Sequence, residues 1–260
     1  MKKKQIAITF VLVILIGGGI LWMNHKKASA PGHKNNTSTT KTSTSTDTAD
    51  NSSSFNKSAN SIDDPASIWI VVNKQRPLNP KTYAPDDLVK PAITLKATTD
   101  MEDHVRKVTA TALEKMAADA KAQGLGLNLQ SGYRSYSFQV ALYNRYVSQQ
   151  GKAVADTQSA RPGYSEHQTG FAADLGSDSH PECDVETCFG ATAEGKWLAA
   201  NAYKYGFLIR YTEGNDKITG YIPEPWHVRY VGVELSTEMH SKGIATLEQF
   251  FGLPDAPDYN

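Results

Sequence analysis

The chain has little cysteine, no net charge, and no acidic residue before position 47. Each shortage excludes something. Seven lysines and no acid fall within residues 1–46. Removing them from the 27 basic residues leaves 20 against 27 acids, a net of −7 over the rest of the chain. A nucleic-acid-binding domain carries the opposite bias, so no nucleic-acid partner is expected. No internal repeat is visible. Residues 31–61 are mostly Ser, Thr, Asn, Lys and Ala, with Phe55 the lone aromatic. Such a stretch buries too little apolar surface to offset its ordering entropy. It reads as a disordered linker of about thirty residues, spanning roughly 30 Å as a flexible coil.

The two cysteines, Cys183 and Cys188, stand five positions apart. In an oxidising compartment that spacing suits a small disulfide loop, worth on the order of 2 kcal/mol by the chain-entropy estimate. Two free thiols, or metal ligands beside His180, are the competing readings. No cysteine directly follows the N-terminal apolar run, which excludes a lipid-anchored lipoprotein.

That run covers residues 6–23, eighteen positions without a charge, behind Lys2, Lys3 and Lys4. It is just long enough to cross a bilayer as a helix, and the lysines place the N-terminus inside. The alternative is a signal peptide cleaved near Ala28-Ser29-Ala30. The length of the run and His25, Lys26 and Lys27 before that site favour a retained single-pass membrane anchor. Either way the rest of the chain is exported: extracytoplasmic at the cell membrane if anchored, secreted if cleaved. The expected organisation is anchor at 1–27, linker at 28–61, and one folded domain at 62–260.

Within that domain, residues 68–72 are an apolar strand or buried extended segment. Pro77, Pro80, Pro85 and Pro91 then describe a wrapping arm. Apolar residues at spacings of three and four predict a helix over 101–123 and another over 136–150. Leu125, Leu127 and Leu129 alternate like a half-buried strand. The polar stretch 152–163 reads as a loop. Strands follow at 171–175, 207–211 and 226–231, and helices at 193–205, 233–242 and 245–251. Helices and strands in mixed order, without regular βαβ alternation, predict an α+β domain: a small antiparallel sheet with flanking helices.

Two stretches carry chemistry. Ser165–Asp174 reads SEHQTGFAAD and sets His167 and Asp174 seven residues apart. On a continuous strand they would face opposite ways, so the chain must turn between them, and Gly170 permits the turn. Imidazole plus carboxylate suits a borderline metal such as zinc. The second stretch is Glu224-Pro225-Trp226-His227. Pro225 disfavours a helix, so His227 flanks a strand, from which it can join His167 and Asp174. Two histidines and one carboxylate leave a fourth zinc position for water, with Glu224 near enough to serve as base. Ordinary hydrogen-bonded histidines are the competing reading, and His104, His180 and His240 are assigned to it.

The motifs resemble a known family. SEHQTGFAAD fits S-x-H-x-x-G-x-A-x-D, EPWH fits E-x-x-H, and SGYRS lies upstream with GFLIRY between. Over about residues 68–252 the chain resembles the zinc D,D-carboxypeptidases of the VanY type, with the related L,D-carboxypeptidases of Gram-positive cell walls. The resemblance implies a Hedgehog/D-Ala-D-Ala-peptidase-like fold, one Zn2+, and removal of the terminal D-alanine from peptidoglycan stem peptides, pentapeptide or tetrapeptide. It implies His167, Asp174 and His227 as zinc ligands, Glu224 as catalytic base, and Arg134 engaging substrate and the polarised carbonyl. Gln139 and Ser165 fall at positions expected to line the substrate cleft. A peptidoglycan endopeptidase and a non-hydrolytic zinc-stabilised wall-binding module are the alternatives; Glu224 argues against the second, because a structural site needs no base.

Overall fold

The computed structural model describes residues 55–97 and 101–260. The apolar run at 6–23 and most of the expected linker lie outside the described residues. Among those described, no helix is long and apolar enough to cross a membrane.

The elements are β1 (Leu88–Val89), β2 (Thr94–Leu95), β3 (Val105–Arg106), α1 (Lys107–Lys121), β4 (Leu127–Ser131), α2 (Tyr136–Gln150) and α3 (Lys152–Gln158). They continue as β5 (Ala172–Ser177), α4 (Ala193–Asn201), β6 (Phe207–Tyr211), α5 (Asp216–Thr219), β7 (Glu224–Tyr230), α6 (Val233–Ser241) and α7 (Leu247–Phe251). This is the expected mixed α+β fold. Its main sheet has the order β2-β4-β5-β7-β6, and β1 pairs with β3 apart from it.

The sheet is not antiparallel throughout: β2 runs parallel to β4, while the other pairs are antiparallel. The helix α1 lies between β2 and β4 in the chain, and a helical crossover returns the next strand in the same direction. Two other expectations change. The first helix starts at Lys107 rather than Met101, because Val105 and Arg106 are taken into β3 opposite Val89 and Leu88. Apolar spacing alone does not register that competing backbone pairing. The stretch 152–163 is not all loop: Lys152–Gln158 is helical, with Ala155 alone turned fully inward, so it leaves no apolar stripe to read.

Alternation along the strands sorts the sheet into two faces. Ala173, Leu175, Leu129, Phe207 and Val228 pack with Leu113 and Met116 of α1 and Leu198 of α4 in the main apolar cluster. The intervening positions, Asp174, His227, Arg229 and Arg210, therefore face the other way. A second cluster joins Trp69 and Val71 to Leu235 and Met239 of α6 and Phe250 of α7. Residues 69–72 are thus buried but form no strand: Ile68 and Trp69 sit in a turn closed by Ile70 N–H on Ser67 O at 3.1 Å, and Trp69 donates Nε1–H to Val231 O at 3.0 Å. Phe55 stacks on Trp69 at 5.5 Å, so the packed chain reaches back to Phe55, short of the expected start at 62. Burying a side chain of this size contributes on the order of 2–3 kcal/mol.

The proline-rich arm braces the turn that precedes β5. Gln168, fully buried, donates to Lys81 O at 2.7 Å and Tyr83 O at 2.9 Å. The turn itself is a 3-10 segment, Glu166–Thr169, closed by Gly170 at φ +72°. A Cβ at Gly170 would also lie 2.7 Å from Arg106 Cγ. Gly170→Ala is therefore expected to cost about 1–3 kcal/mol, from left-handed strain alone. Urea denaturation checks this; an unchanged midpoint would show that the turn does not need glycine.

Candidate metal and active site

The register of the sheet builds the site. Asp174 of β5 is the direct cross-strand partner of His227 of β7. Opposed residues on antiparallel strands share a face, so the two side chains meet, with His227 Nδ1 3.1 Å from Asp174 Oδ1. His167 arrives from the 3-10 turn and sets Nε2 3.3 Å from Asp174 Oδ2. The two imidazoles lie 4.9 Å apart, centroid to centroid, at 88°. One ligand atom from each of His167, Asp174 and His227 lies within 4.8 Å of the others, and all three residues are buried.

Glu224 reaches the same place by an irregularity. Three residues along a regular strand, it would face away from His227. Ile209 pairs with Val228 but Tyr211 pairs with Glu224, so β7 holds two extra residues there. Such a bulge re-aims a side chain. Glu224 Oε2 consequently lies 3.6 Å from His227 Nδ1, with 14% of its side chain exposed. Pro225 sits within the bulge, where its missing N–H breaks no ladder.

Arg134 follows β4 and donates Nη2–H to Asp174 Oδ2 at 2.7 Å. Its Nε donates to Ser131 Oγ at 2.9 Å, with Glu102 Oε1 3.3 Å away. It is therefore part of the site and not a surface ion pair. Gln139, on α2, is 1% exposed; its Nε2 donates to Ala160 O at 2.7 Å. Ser165 is 3% exposed. All seven sequence-nominated residues line one cleft of about 750 Å3, with Trp226, Tyr211 and Tyr221. A more apolar cavity of about 870 Å3, along β6 toward His240, contains none of the seven. His104 pairs with Asp103, His180 with Glu182, and His240 stacks on Tyr203, as residues outside the site. Cys183 and Cys188 form a disulfide, which removes them as metal ligands.

The donor set fits zinc. Ligands about 2.0–2.1 Å from a tetrahedral Zn2+ stand about 3.3–3.4 Å from one another, close to the Asp174 spacings here. His167 Nδ1 lies 2.7 Å from Gly132 O, an acceptor only. Nδ1 thus carries the hydrogen, and Nε2 keeps its lone pair toward Asp174. Gly132 is needed where the backbone of Glu102–His104 passes against it, since a Cβ there would lie 2.2 Å from His104 O.

Electrostatics differentiate the groups. Burial and the Arg134 charge hold His167 below the ordinary histidine value. Burial opposes charge on His227, but hydrogen bonds to Asp174 and Glu166 outweigh it and raise the pKa to about 9. Burial also resists ionising Asp174; His167, the His227 hydrogen bond and Arg134 overcome it and hold Asp174 well below the carboxylate range. Glu224 is pushed up to about 7, mostly by burial and against the pull of His227, with Asp174 adding to the rise.

Sequence reasoning did not nominate Glu166, whose Oε2 lies 3.4 Å from His227 Nε2. The available signal was a pair of arginines, Arg210 and Arg229, at inward positions of the two strands.

A family model described as VanY, D-alanyl-D-alanine carboxypeptidase, matches residues 102–233. The chain belongs to the VanY family. YodJ of Bacillus subtilis (strain 168) is 42% identical over 191 residues, 73% of this chain and 69% of that protein. The structure of the LdcB LD-carboxypeptidase, described as revealing the molecular basis of peptidoglycan recognition, superposes with TM-score 0.68 at 42% identity. It covers 74% of this chain and 88% of that one. A mutant of the vancomycin-resistance D,D-pentapeptidase VanY from a VanB-type cassette, in complex with Zn(II), gives TM-score 0.57 at 30% identity. That alignment covers 71% of this chain and 98% of that one. This VanY-family chain is accordingly a hydrolase.

The electrostatics give a signed expectation for the metal-free protein. His227, raised from 6.5 to about 9, contributes stability that is complete below pH 6.5 and is lost as pH rises through 9. Glu224, raised from 4.5 to about 7, also costs stability as pH rises from 4.5 to 7, because the unfolded chain ionises first. His167, held below 6.5, works the other way and gains stability only as pH rises toward 6.5. In excess chelator, stability should therefore fall between pH 7 and pH 9, where His227 dominates, by on the order of 2 kcal/mol. Thermal melts across that range check it; a flat or rising profile would contradict these charge states.

Proposed function

We propose that this protein is a zinc-dependent carboxypeptidase that removes the C-terminal D-alanine from peptidoglycan stem peptides. The observation that carries the reading is the convergence of His167, Asp174 and His227 within 4.8 Å, with Glu224 3.6 Å from His227. Those three residues would hold the zinc, which when bound supplies Lewis-acid polarisation and a more acidic water.

The chain's own groups supply the rest. Glu224, with its pKa lifted to about 7, is poised to take a proton from water near neutral pH and return it to the departing amine of D-alanine. A less buried glutamate would be too weak a base. Arg134 opens onto the cleft with 17% of its side chain exposed. Its guanidinium complements a terminal carboxylate or a developing oxyanion. Gln139 and Ser165 line the wall beside it. The Gln139 amide is oriented by donation to Ala160 O at 2.7 Å.

Both pentapeptides ending in D-Ala-D-Ala and tetrapeptides ending in D-Ala belong to this substrate class. The greater similarity to the LD-carboxypeptidase than to the D,D-pentapeptidase supports the tetrapeptide as the preferred one. On the same reading residues 6–23 tether the domain outside the cell membrane, and the polar stretch after them gives it reach over nearby wall.

Purified protein is expected to release D-alanine from stem peptides, to lose the activity in chelator, and to regain it with Zn2+. Glu224→Gln should lower kcat/KM by about 10²–10⁴ while retaining stoichiometric zinc. Product analysis by mass, with metal content, reads both; undiminished turnover in that variant would overturn the role of Glu224.

A further inference from the structure

Glu166 is a carboxylate that the hydrolytic scheme does not use, and it is among the most enclosed charges in the protein. Its side chain is 1% exposed, in the turn directly before His167. Oε1 accepts from Arg210 Nε at 2.8 Å and from Arg229 Nη1 at 3.0 Å. The arginines are anchored in turn. Arg210 forks onto Glu248 at 2.7 and 3.1 Å, and Asn73 donates to Glu248 at 2.9 Å. Arg229 donates to Ile68 O at 3.1 Å and Ile70 O at 2.8 Å. The cluster therefore links β6, β7, α7 and the buried N-terminal segment.

A buried ionic cluster is a poor way to gain stability, because desolvating the charges commonly cancels their attraction. Its geometry suggests another use. Glu166 Oε2 lies 3.4 Å from His227 Nε2, at the long end of hydrogen bonding, on the side of the ring away from Asp174. A carboxylate pinned by two arginines can only accept. The hydrogen of a neutral His227 then belongs on Nε2, leaving the Nδ1 lone pair facing Asp174 and Glu224. His167 is clamped in the same sense by Gly132 O, through its other nitrogen.

We propose that Glu166 is a positioning residue for the metal centre: it fixes the tautomer and ring orientation of His227, so that Nδ1 is the atom offered to the cation. The inference rests on the zinc reading of the site. Partners of this kind on ligating histidines commonly govern metal affinity. The arginines make the support directional. They hold Oε1 in the sheet, so Oε2 has one remaining direction, toward His227.

The test uses the whole protein and zinc affinity by competition with a chromophoric chelator, with the visible spectrum of the Co2+-substituted form as second readout. In Glu166→Gln the amide satisfies the arginines with its oxygen and turns its NH2 toward His227, which favours the wrong tautomer. The expected result is a 10- to 100-fold weaker zinc affinity and a shifted cobalt spectrum. Glu248→Gln removes a charge from the same cluster without touching His227. It should lower the melting temperature while leaving zinc affinity within about twofold. Wild-type affinity and an unchanged cobalt spectrum in Glu166→Gln would overturn the proposal. If that variant does not fold, 15N NMR of the zinc-loaded wild type decides: a hydrogen on His227 Nε2 supports the assignment, and one on Nδ1 refutes it. Failure of the wild type to bind zinc would instead refute the underlying zinc reading, so the two failures are distinguishable.

Discussion

The cross-strand pairing of Asp174 with His227 is the constraint on which the rest of the site depends. It fixes two donor atoms 3.1 Å apart in the centre of a sheet, where neither strand can shift by one residue without turning its apolar neighbours outward. Ala173, Leu175 and Val228 therefore enforce the register that brings the polar groups together. The turn at Gly170 adds His167, and the bulge around Pro225 adds Glu224. Each functional side chain is aimed by backbone geometry that apolar packing holds in place.

That arrangement sets a conflict between stability and chemistry. Opposite the apolar core, the sheet face carries Asp174, His227, Arg210 and Arg229, with Glu166 and Glu248 brought against them. In the metal-free state the groups neutralise one another: Asp174 pairs with Arg134, and His227 is held charged by its carboxylate neighbours. A divalent cation would replace the His227 proton, so metal affinity should rise with pH below about 9. Glu224 illustrates the same exchange. Its burial costs folding energy above pH 4.5 and yields a carboxylate that changes protonation near 7, where a general base is most useful.

Much of this was legible in the sequence because the decisive residues sit in short motifs. Gly170 marked the turn between His167 and Asp174, and Pro225 marked the stretch before His227 as non-helical. Strand alternation was readable in Leu127 and Leu129. Other features were hidden for identifiable reasons. The parallel β2–β4 pair depends on the chain's path around α1, which no local pattern encodes. Val105 satisfies a helical spacing yet pairs as a strand. Ala155 alone cannot signal a helix. Glu166 was passed over although it adjoins His167, because its partners, Arg210, Arg229 and His227, are 44 to 63 residues away. Long-range charge pairing leaves no periodic trace.

The central claim is that one zinc ion is held by His167, Asp174 and His227. Anomalous diffraction at the zinc edge, from crystals of the zinc-loaded protein, tests it most directly. The expected result is one strong peak about 2.0–2.2 Å from His167 Nε2, His227 Nδ1 and an Asp174 oxygen. A peak elsewhere, or zinc bound through His227 Nε2, would contradict it.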